Sequence, residues 1–389
     1  MNKRVLCFTP WFPDSPGGRE GNYIFDSVMA ARDSSVDMKV LLARPVHPGK
    51  RNRSDLTAFP ADLDLKLVRY ASIPRDYFRA MSSKMLALSL TQPLLHYAKK
   101  HDVQLIHAHT EALAEVAAVV AEKLDIPCVV TIHGINTSRR YLGTSAQKTY
   151  FRHALNRVNR VILVGEPLRD YFAGITGRDE HFRIVHNSFH LSCTPRTNAV
   201  FTGGILRLIS VSNLHEGKGV DLTIRALARL KAAGFNHWHY QIVGDGYLRT
   251  QLEELVHTLD LEDQVVFVGA VPHAEVVNYL IQADLFVLPS YREAFGVAYL
   301  EAMSCGLLAI GVQAQGPSAF IRHGETGFLI APRDVDDLVS VLGMVMQAPL
   351  QMSEIAQRGK AEVVPGFSPQ SHAKQLNGVY DELLAEKGF

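Results

Sequence analysis

Two glutamates, Glu293 and Glu301, bracket seven uncharged residues in the stretch EAFGVAYLEAMSCG, which covers residues 293–306. The segment directly upstream, LFVLPSYR, has the composition of a buried strand that runs into a loop, so a helix is predicted to begin near Phe295 or Gly296. A helix start offers unpaired backbone N–H groups and a positive dipole end, which suit a phosphate. Glu293 is therefore predicted to face a ligand, and Glu301 to reach a hydroxyl-bearing group beside the phosphate.

An ordinary structural role for both acids stays open at this point. Glu293 can stabilise the positive end of the helix, and Glu301 can be a solvated surface residue. A third polar group is Lys218 in SVSNLHEGKGVDLTIRAL, where a predicted strand and loop give way to a helix. A lysine at a helix start is common, but at this edge of a sheet it can neutralise a phosphate as a point charge.

Glycines follow two other predicted strands. In YQIVGDGYLRTQLEEL, Gly244 and Gly246 flank Asp245 at a strand-to-helix turn, where they allow either the close approach of a phosphate or a tight turn. In FTPWFPDSPGGREGNYIF, Gly17 and Gly18 follow the first strand and can cover a phosphate or turn a corner. Both loops are candidate ligand contacts that also have an ordinary explanation.

Histidines stand at two further strand ends. CVVTIHGIN places His133 after one predicted strand, and LIHAHTE places His107 and His109 after the one before. A His-x-His pair can bind a metal ion, but the sequence offers no third ligand of matching spacing. We therefore predict no metal site.

The strands that must position these residues are short runs rich in Val, Ile and Leu, each followed by a helix-length segment. Seven runs come first: RVLCFT, KVLLAR, LKLVRY, QLIHAH, CVVTIH, RVILVG and RIVHN. Six follow: LRLISVS, YQIVG, QVVFVG, LFVLPS, LLAIGV and GFLIAP. Fully apolar strands are typical of parallel sheets covered on both faces, so two doubly wound α/β domains in tandem are predicted. Ligands of such sheets sit at the carboxyl ends of the strands, and two facing sheets are expected to form one cleft.

The stretch 188–204 interrupts this rhythm with polar residues, proline and glycine, and is predicted to link the domains. The amino-terminal domain is expected to span 1–190 and to be completed by a closing helix at about 368–389, where apolar residues recur at helical spacing. The carboxy-terminal domain is expected to span 205–367.

The composition fits a globular protein of this size. The chain has 389 residues, of which 47% are hydrophobic and 20% charged, enough for two domains. Its four cysteines are far apart and show no metal or redox spacing, so buried free thiols in a reducing compartment are expected. No signal-peptide core and no apolar run of about 18 residues is found, so the predicted location is cytoplasmic.

Positive charge is concentrated in the first half of the chain. Residues 1–195 carry a net charge of +8 and the remainder −7, which indicates an anionic partner for the first half or attraction between the two domains. Segment 73–100, IPRDYFRAMSSKMLALSLTQPLLHYAKK, combines basic residues with an apolar stripe. It can rest on the anionic inner face of the cytoplasmic membrane and present a lipid-linked acceptor, or pack its stripe on the sheet as an ordinary helix.

Together these motifs resemble the GT-B-fold glycosyltransferases of family 4, retaining and metal-independent enzymes that use nucleotide-sugar donors. The resemblance spans nearly the whole chain, and its most specific part is EAFGVAYLEAMSCGLLAIG followed by GPSAFIRHGETGFLIAPRD. Support comes in order from PWFPDSPGGREGNYI, HAH, TIHG, RIVHNS, SNLHEGKGVDL and VGDG. The details FPD…G…YIF and NL…KG are most similar to bacterial enzymes that build exopolysaccharide, cell-wall or lipopolysaccharide chains.

The resemblance implies roles for individual residues. It makes Glu293, His133 and Lys218 the catalytic group: Glu293 contacts hydroxyls of the donor sugar, His133 lies near that sugar, and Lys218 grips the diphosphate. Glu301 would hold the ribose hydroxyls. The other donor-side residues that it implies are Phe295, Gly296, Val297, Gly18, Gly244, Asp245 and Asn213. On the acceptor side it implies Gly17, Arg19 and His109.

Several positions depart from the common family pattern, among them Ser188, Gly165 and Leu308, and one departure affects the diphosphate contacts. Many members have an arginine five residues before the lysine, where this chain has Asn213, so one charged partner of the diphosphate is missing. Arg292 and Arg19 are the candidates to replace it.

The implied reaction moves a hexose-type sugar from a UDP-sugar or GDP-sugar to a hydroxyl of a growing, lipid-linked glycan, with no metal, other cofactor or nucleic acid. A nucleotide-sugar 2-epimerase shares the architecture and would form product without an acceptor. A non-catalytic sugar-nucleotide-binding protein is another alternative. An NAD-dependent dehydrogenase is disfavoured, because no G-x-G-x-x-G follows the first strand.

Overall fold

The chain folds into two compact units, each built on one parallel sheet. The computed structural model describes residues 3–14, 21–46, 56, 59–71, 79–134, 145–189 and 204–389, without the side chains of 79–84 and 146–147. Unit 1 consists of Met1–Ser188 and Pro369–Phe389, and unit 2 of Phe189–Ser368. The prediction of two parallel α/β sheets is confirmed.

Unit 1 contains a seven-stranded sheet in the order β3-β2-β1-β4-β5-β6-β7. Its strands are β1 Lys3–Thr9, β2 Val36–Val46, β3 Asp64–Ala71, β4 Leu105–His109, β5 Cys128–Ile132, β6 Arg160–Leu163 and β7 Phe182–Ile184. Its helices are α1 Asn22–Asp33, α2 Arg79–Lys100, α3 Glu111–Leu124, α4 Ser145–Arg157, α5 Pro167–Thr176 and α12 Pro369–Glu386. The strand order reverses between β1 and β4, so the switch point of this sheet lies between these two strands.

The core of unit 1 includes the last helix of the chain. Tyr380 and Leu383 of α12 are fully buried in one cluster with Val5 of β1 and Ile24 of α1. Glu382 of the same helix forms ion pairs with arginines that belong to β6 and β7. Packing and charge together therefore hold α12 on unit 1, although all of unit 2 precedes it in sequence.

Unit 2 contains a six-stranded sheet in the order β10-β9-β8-β11-β12-β13. Its strands are β8 Leu206–Val211, β9 Trp238–Val243, β10 Val265–Gly269, β11 Leu285–Val287, β12 Leu308–Val312 and β13 Phe328–Ile330. Its helices are α6 Val220–Ala232, α7 Arg249–Thr258, α8 His273–Leu280, α9 Val297–Ser304, α10 Val335–Gln347 and α11 Pro349–Gly366. Every residue of β11 and β12 is buried, which explains why these strands read as unbroken apolar runs.

The strand order of unit 2 reverses between β8 and β11, which pair in register at Leu208 and Leu285. The loops after these two strands must diverge, and they are the loops that carry Lys218 and Glu293. The topology therefore brings the two segments that the sequence singled out to the switch point of one sheet.

The described part of the basic, apolar segment 73–100 packs as a core helix. Leu86, Leu90, Leu94 and Tyr97 of α2 are buried in unit 1, whereas Leu88 is 82% exposed. Of the two interpretations of this stripe, the structure favours packing on the sheet. Among the described residues no single helix is long and apolar enough to cross a membrane, and α10 and α11 meet that requirement only as a pair bent by 107°.

The expectation of four free thiols is wrong for Cys305. Cys305 is disulfide-bonded, whereas Cys7 and Cys128 are free and buried in β1 and β5. Burial raises the pKa of both free thiols, so they remain protonated and unreactive at neutral pH. Cys193 lies outside the described residues.

Candidate active site

Lys218 lies in a short turn between β8 and α6, next to the loop that follows β11. The Ser290 hydroxyl donates to the Gly217 carbonyl at 3.0 Å and joins the two loops. Because Ser290 is fully buried, this hydrogen bond is protected from competition with water. Lys218 is thereby held beside the chain that leads into the two glutamates.

Glu293 forms an ion pair with Lys218. The lysine Nζ donates to Glu293 Oε2 at 2.7 Å, and the two side chains are 18% and 14% exposed, so water screens their attraction only partly. The Glu293 backbone is fixed as well: its N–H donates to Gln315 Oε1 at 3.0 Å, and its carbonyl accepts from the Gly316 N–H at 2.9 Å. Glu293 and Lys218 were both predicted to face a ligand, and the structure brings them into direct contact.

Helix α9 begins at Val297, directly after Gly296, within two residues of the predicted start. Gly296 has φ 95°, and a Cβ there would lie 2.8 Å from Tyr299 Cδ2, so the turn requires glycine. Gly296 has no side chain to cap this helix, so the N–H groups at its start have no side-chain acceptor from the N-cap residue. Phe295 is buried, and its ring packs against that of Phe320, which holds the turn in place.

Glu301 is 5% exposed, so its interpretation as a solvated surface residue is wrong. Its Oε1 accepts a hydrogen bond of 2.7 Å from Nε2 of His273. His273 is the first residue of α8 and follows β10 at the carboxyl edge of the same sheet. A buried carboxylate is thus held by a histidine that sequence reasoning did not single out.

The Gly244 turn has a structural reason to contain glycine. Gly244 has φ 132°, and a Cβ there would lie 1.8 Å from the carbonyl oxygen of Ser212. Any side chain at this position would therefore clash with the backbone. The Leu214 N–H donates to the Asp245 carbonyl at 3.0 Å, so the loops after β8 and β9 are packed backbone to backbone. Asp245 and Asn213 are both exposed at this edge.

Two arginines add positive charge near the ion pair. The guanidinium carbon of Arg333 lies 4.2 Å from the ring centroid of Tyr291, and that of Arg292 lies 6.0 Å from it. Burial, and next the charge of Lys218, lower the pKa of His215, and Arg292 lowers it further. Arg292 is exposed and forms no ion pair with any described residue. Since the lysine–glutamate pair is neutral overall, the two arginines supply additional positive charge beside it.

In unit 1, His133 lies after β5 in a row of three histidines. His133 Nε2 and His109 Nδ1 are 2.9 Å apart, and their rings are stacked at 13°. His107 is held through Nδ1 by the Tyr380 hydroxyl at 2.7 Å and through Nε2 by the Thr131 hydroxyl at 2.6 Å. Burial lowers the pKa of all three histidines, that of His109 to about 3, so they are neutral at pH 7.

The sequence-predicted residues thus fall into separate groups. His133 and His109 meet in unit 1, whereas the described donor-side residues all lie in unit 2. Gly17, Gly18 and Arg19 lie outside the described residues. Within the described ranges, no group of three or more His, Cys, Asp or Glu side chains could hold a metal ion.

Sequence reasoning missed His273 and Gln315, which orient Glu301 and Glu293. Both stand shortly after strands of the same sheet, in VPHAE after β10 and in VQAQGPS after β12. Examining every predicted strand end for polar side chains would have identified both positions.

Two family descriptions match the chain in succession. Residues 202–362 match "Glycosyl transferases group 1", and residues 28–192 match "Glycosyltransferase Family 4". The site residues of unit 2 all lie within the first match, and His133 lies within the second. Together the matches cover most of both units.

Named relatives and solved structures agree with these matches. The chain is 29% identical over 327 residues to the amylovoran biosynthesis glycosyltransferase AmsK of Erwinia amylovora, covering 79% of this chain and 76% of that one. It is 26% identical over 412 residues to the putative teichuronic acid biosynthesis glycosyltransferase TuaC of Bacillus subtilis, covering 98% of each. The fold matches Anabaena HepE in complex with UDP-glucose with a TM-score of 0.73 at 19% identity, covering 98% of this chain and 100% of that one. The chain therefore belongs to the glycosyltransferases of group 1 and family 4, which are retaining enzymes of the GT-B fold.

Proposed function

We propose that this chain moves a hexose-type sugar from a nucleoside-diphosphate sugar to a hydroxyl of a growing, lipid-linked glycan in polysaccharide biosynthesis. Unit 2 binds the donor and unit 1 binds the acceptor. The observation that carries the proposal is the ion pair between Lys218 and Glu293. Glu293 lies four residues before the first residue of α9, the helix that also carries Glu301. The names of AmsK and TuaC support polysaccharide synthesis, and the HepE complex supports a UDP-sugar as the first donor to test.

The difficult step is departure of the nucleoside diphosphate, because it gains negative charge while the sugar carbon becomes oxocarbenium-like. Lys218 and the first N–H groups of α9 provide fixed positive potential where that charge develops. Because they are preorganised by the surrounding loops, they need little rearrangement during the reaction. These donors can carry the leaving-group charge without a metal ion.

Glu293 has a second part in this mechanism. When the diphosphate approaches Lys218, the carboxylate of Glu293 is freed to accept hydrogen bonds from hydroxyls of the donor sugar. Retention then follows from attack on the face from which the diphosphate leaves. A departing phosphate oxygen accepts the proton of the acceptor hydroxyl, so charge and proton are both accounted for.

The donor half of the proposal is tested by thermal unfolding of the protein with UDP, GDP, ADP and their common sugar conjugates. A ligand at about 100 times its Kd adds roughly 2.7 kcal/mol to the native state, an easily measured rise in Tm. We expect one base to raise Tm, Lys218→Met to abolish the rise, and Lys231→Met to retain it. Lys231 is the matched control because it lies in the last turn of α6, where its Nζ donates to the backbone carbonyl of Asp260, which follows α7. No rise with any nucleotide would contradict the proposal.

The reaction itself is tested with the donor that binds. Transfer to a lipid-linked glycan that continues in EDTA supports the proposal, whereas activity that is lost in EDTA and restored by Mg²⁺ or Mn²⁺ contradicts the metal-free mechanism. Product formed from the donor alone would identify a 2-epimerase. Tight nucleotide binding without transfer to any acceptor would identify a binding protein.

A lipid-linked acceptor requires unit 1 to meet a membrane surface. The described apolar stripe of α2 is buried, so the proposed contact is made by the basic residues of segment 73–100. Of these, Lys99 and Lys100 are exposed, whereas the side chains of Arg75, Arg79 and Lys84 lie outside the described residues. Flotation with anionic liposomes that is lost at high salt supports this contact. No flotation would contradict it and leave the sugar transfer untouched.

A further inference from the structure

Glu301 is held by one contact that the proposed function does not use. Its side chain is almost fully buried, and Oε1 accepts the hydrogen bond from His273 Nε2 at 2.7 Å. Because a carboxylate can only accept, the proton must be on Nε2 of His273, which fixes the tautomer of the ring. Among the described residues, the second oxygen of Glu301, Oε2, has no hydrogen-bond partner.

This arrangement separates the two oxygens of the carboxylate. A glutamate side chain has several rotamers, and each one points the oxygens in a different direction. The bond to His273 selects one of them before any ligand arrives, with Oε1 held by the protein and Oε2 left for a hydroxyl. Ordering a side chain in advance removes that cost from the binding step.

The fold explains why the contact comes from α8. Helix α8 follows the edge strand β10, and its first residue reaches the carboxylate on α9, which follows the central strand β11. His273 is 32% exposed while Glu301 is 6% exposed at the side chain, so the histidine lies between the buried carboxylate and the surface.

We propose that His273 is a positioning residue that fixes the Glu301 carboxylate to receive the ribose hydroxyls of the donor nucleotide. The inference rests on the proposed function, because it takes a nucleoside diphosphate as the ligand of unit 2. His273 contributes through Glu301 and not through the diphosphate, so its contribution depends on the ribose hydroxyls being present.

The test is a cycle of protein variants and nucleotides measured by isothermal titration calorimetry. The ligands are the nucleoside diphosphate that the wild-type protein binds most tightly among UDP, GDP and ADP, and its 2′,3′-dideoxy analogue. His273→Ala is expected to weaken the ribonucleotide about ten- to a hundredfold, the range for a hydrogen bond to a charged group. It should leave the affinity for the dideoxy analogue within about twofold. His273→Gln, whose amide can also donate to Glu301, should recover most of the loss.

The chain offers a matched control in unit 2. His257 on α7 also bonds to a glutamate, Glu262, but both side chains of this pair are exposed, whereas Glu301 is buried. His257→Ala should change neither affinity. If His273→Ala weakens both nucleotides equally, or neither, His273 does not act through the ribose and the inference is overturned while the proposed function stands. If the wild-type protein binds no nucleoside diphosphate, the proposed function itself fails, and the inference fails with it.

Discussion

At the scale of single residues, the site is defined by charges that neutralise each other. Lys218 and Glu293 each have the other as partner, so the ligand-free site presents no net charge from this pair. An incoming anion must compete with Glu293 for the lysine. The two residues should therefore respond differently to mutation.

Glu293→Gln is expected to lower turnover about a hundred- to a thousandfold, the range for losing a polar group that acts in the transition state. The same change should leave the affinity for nucleoside diphosphate equal or higher, because Lys218 loses its competing partner. Steady-state kinetics and calorimetry with the nucleotide measure the two effects. A variant that loses nucleotide binding and turnover in parallel would show that Glu293 acts mainly on the structure of the site.

Arg292 is the described candidate for the charge that is missing at Asn213. It is exposed, lies next to Glu293 and has no ion-pair partner among the described residues. Arg292→Gln is expected to weaken nucleoside diphosphate about tenfold at low salt, and this difference should shrink as ionic strength rises. Arg229→Gln is the control, because Arg229 is paired with Asp336 near the end of α6. Equal affinity of wild type and Arg292→Gln would leave the missing charge to Arg19.

The sequence was informative about Glu293 and Lys218 because each follows an apolar run of strand length, and Glu301 lies on the helix that comes after Glu293. It could not reveal that Lys218 and Glu293 touch, since 75 residues separate them and the contact depends on β8 and β11 being neighbours. The role of His273 was missed for the same reason. It depends on a hydrogen bond with Glu301, which lies 28 residues later in the sequence.

At the scale of elements, each of the thirteen strands in the described ranges coincides with an apolar run of the sequence. The central strands β4, β5 and β12 are buried throughout and must be apolar, whereas β3 and β10 at the sheet edges are partly exposed. The order of the strands could not be predicted, because it depends on which helices cross which face. The turns were ambiguous, since a glycine needed for a close backbone approach and one needed for a ligand look alike in sequence.

A substitution at Gly244 distinguishes a glycine required by the backbone from a glycine required by a ligand. Gly244→Ala places a methyl group 1.8 Å from the Ser212 carbonyl at a φ of 132°, so the ligand-free protein should lose several degrees of Tm. Differential scanning calorimetry without nucleotide measures this. An unchanged Tm with weaker nucleotide binding would assign the glycine to the ligand instead.

At the scale of the whole molecule, buried neutral histidines make the protein sensitive to acid. Burial, and next the charge of Arg178, lower the pKa of His181 to about 4, and neither ring nitrogen has a hydrogen-bond partner among the described residues. In the unfolded chain a histidine titrates near 6.5. Between these values the unfolded state binds more protons, so the stability present above about pH 6.5 is lost as the pH falls towards 4.

His181→Phe removes this titration and keeps an aromatic ring in the core. When the pH is lowered from 7.5 to 5, the free energy of unfolding of the wild type should fall by about 2 kcal/mol more than that of the variant. Urea unfolding followed at both pH values measures the difference. Equal losses in the two proteins would show that His181 is not protonated on unfolding in this range and would point to His107, His109 and His133.

The placement of α12 has a consequence for how the chain is made. Its residues complete the core of unit 1, yet they leave the ribosome after every residue of unit 2. At about 5–20 residues per second, the first 188 residues wait roughly ten seconds or more for their final helix. Unit 2 is contiguous and can fold during that interval, so the half of the chain that is synthesised first is the half that finishes folding second.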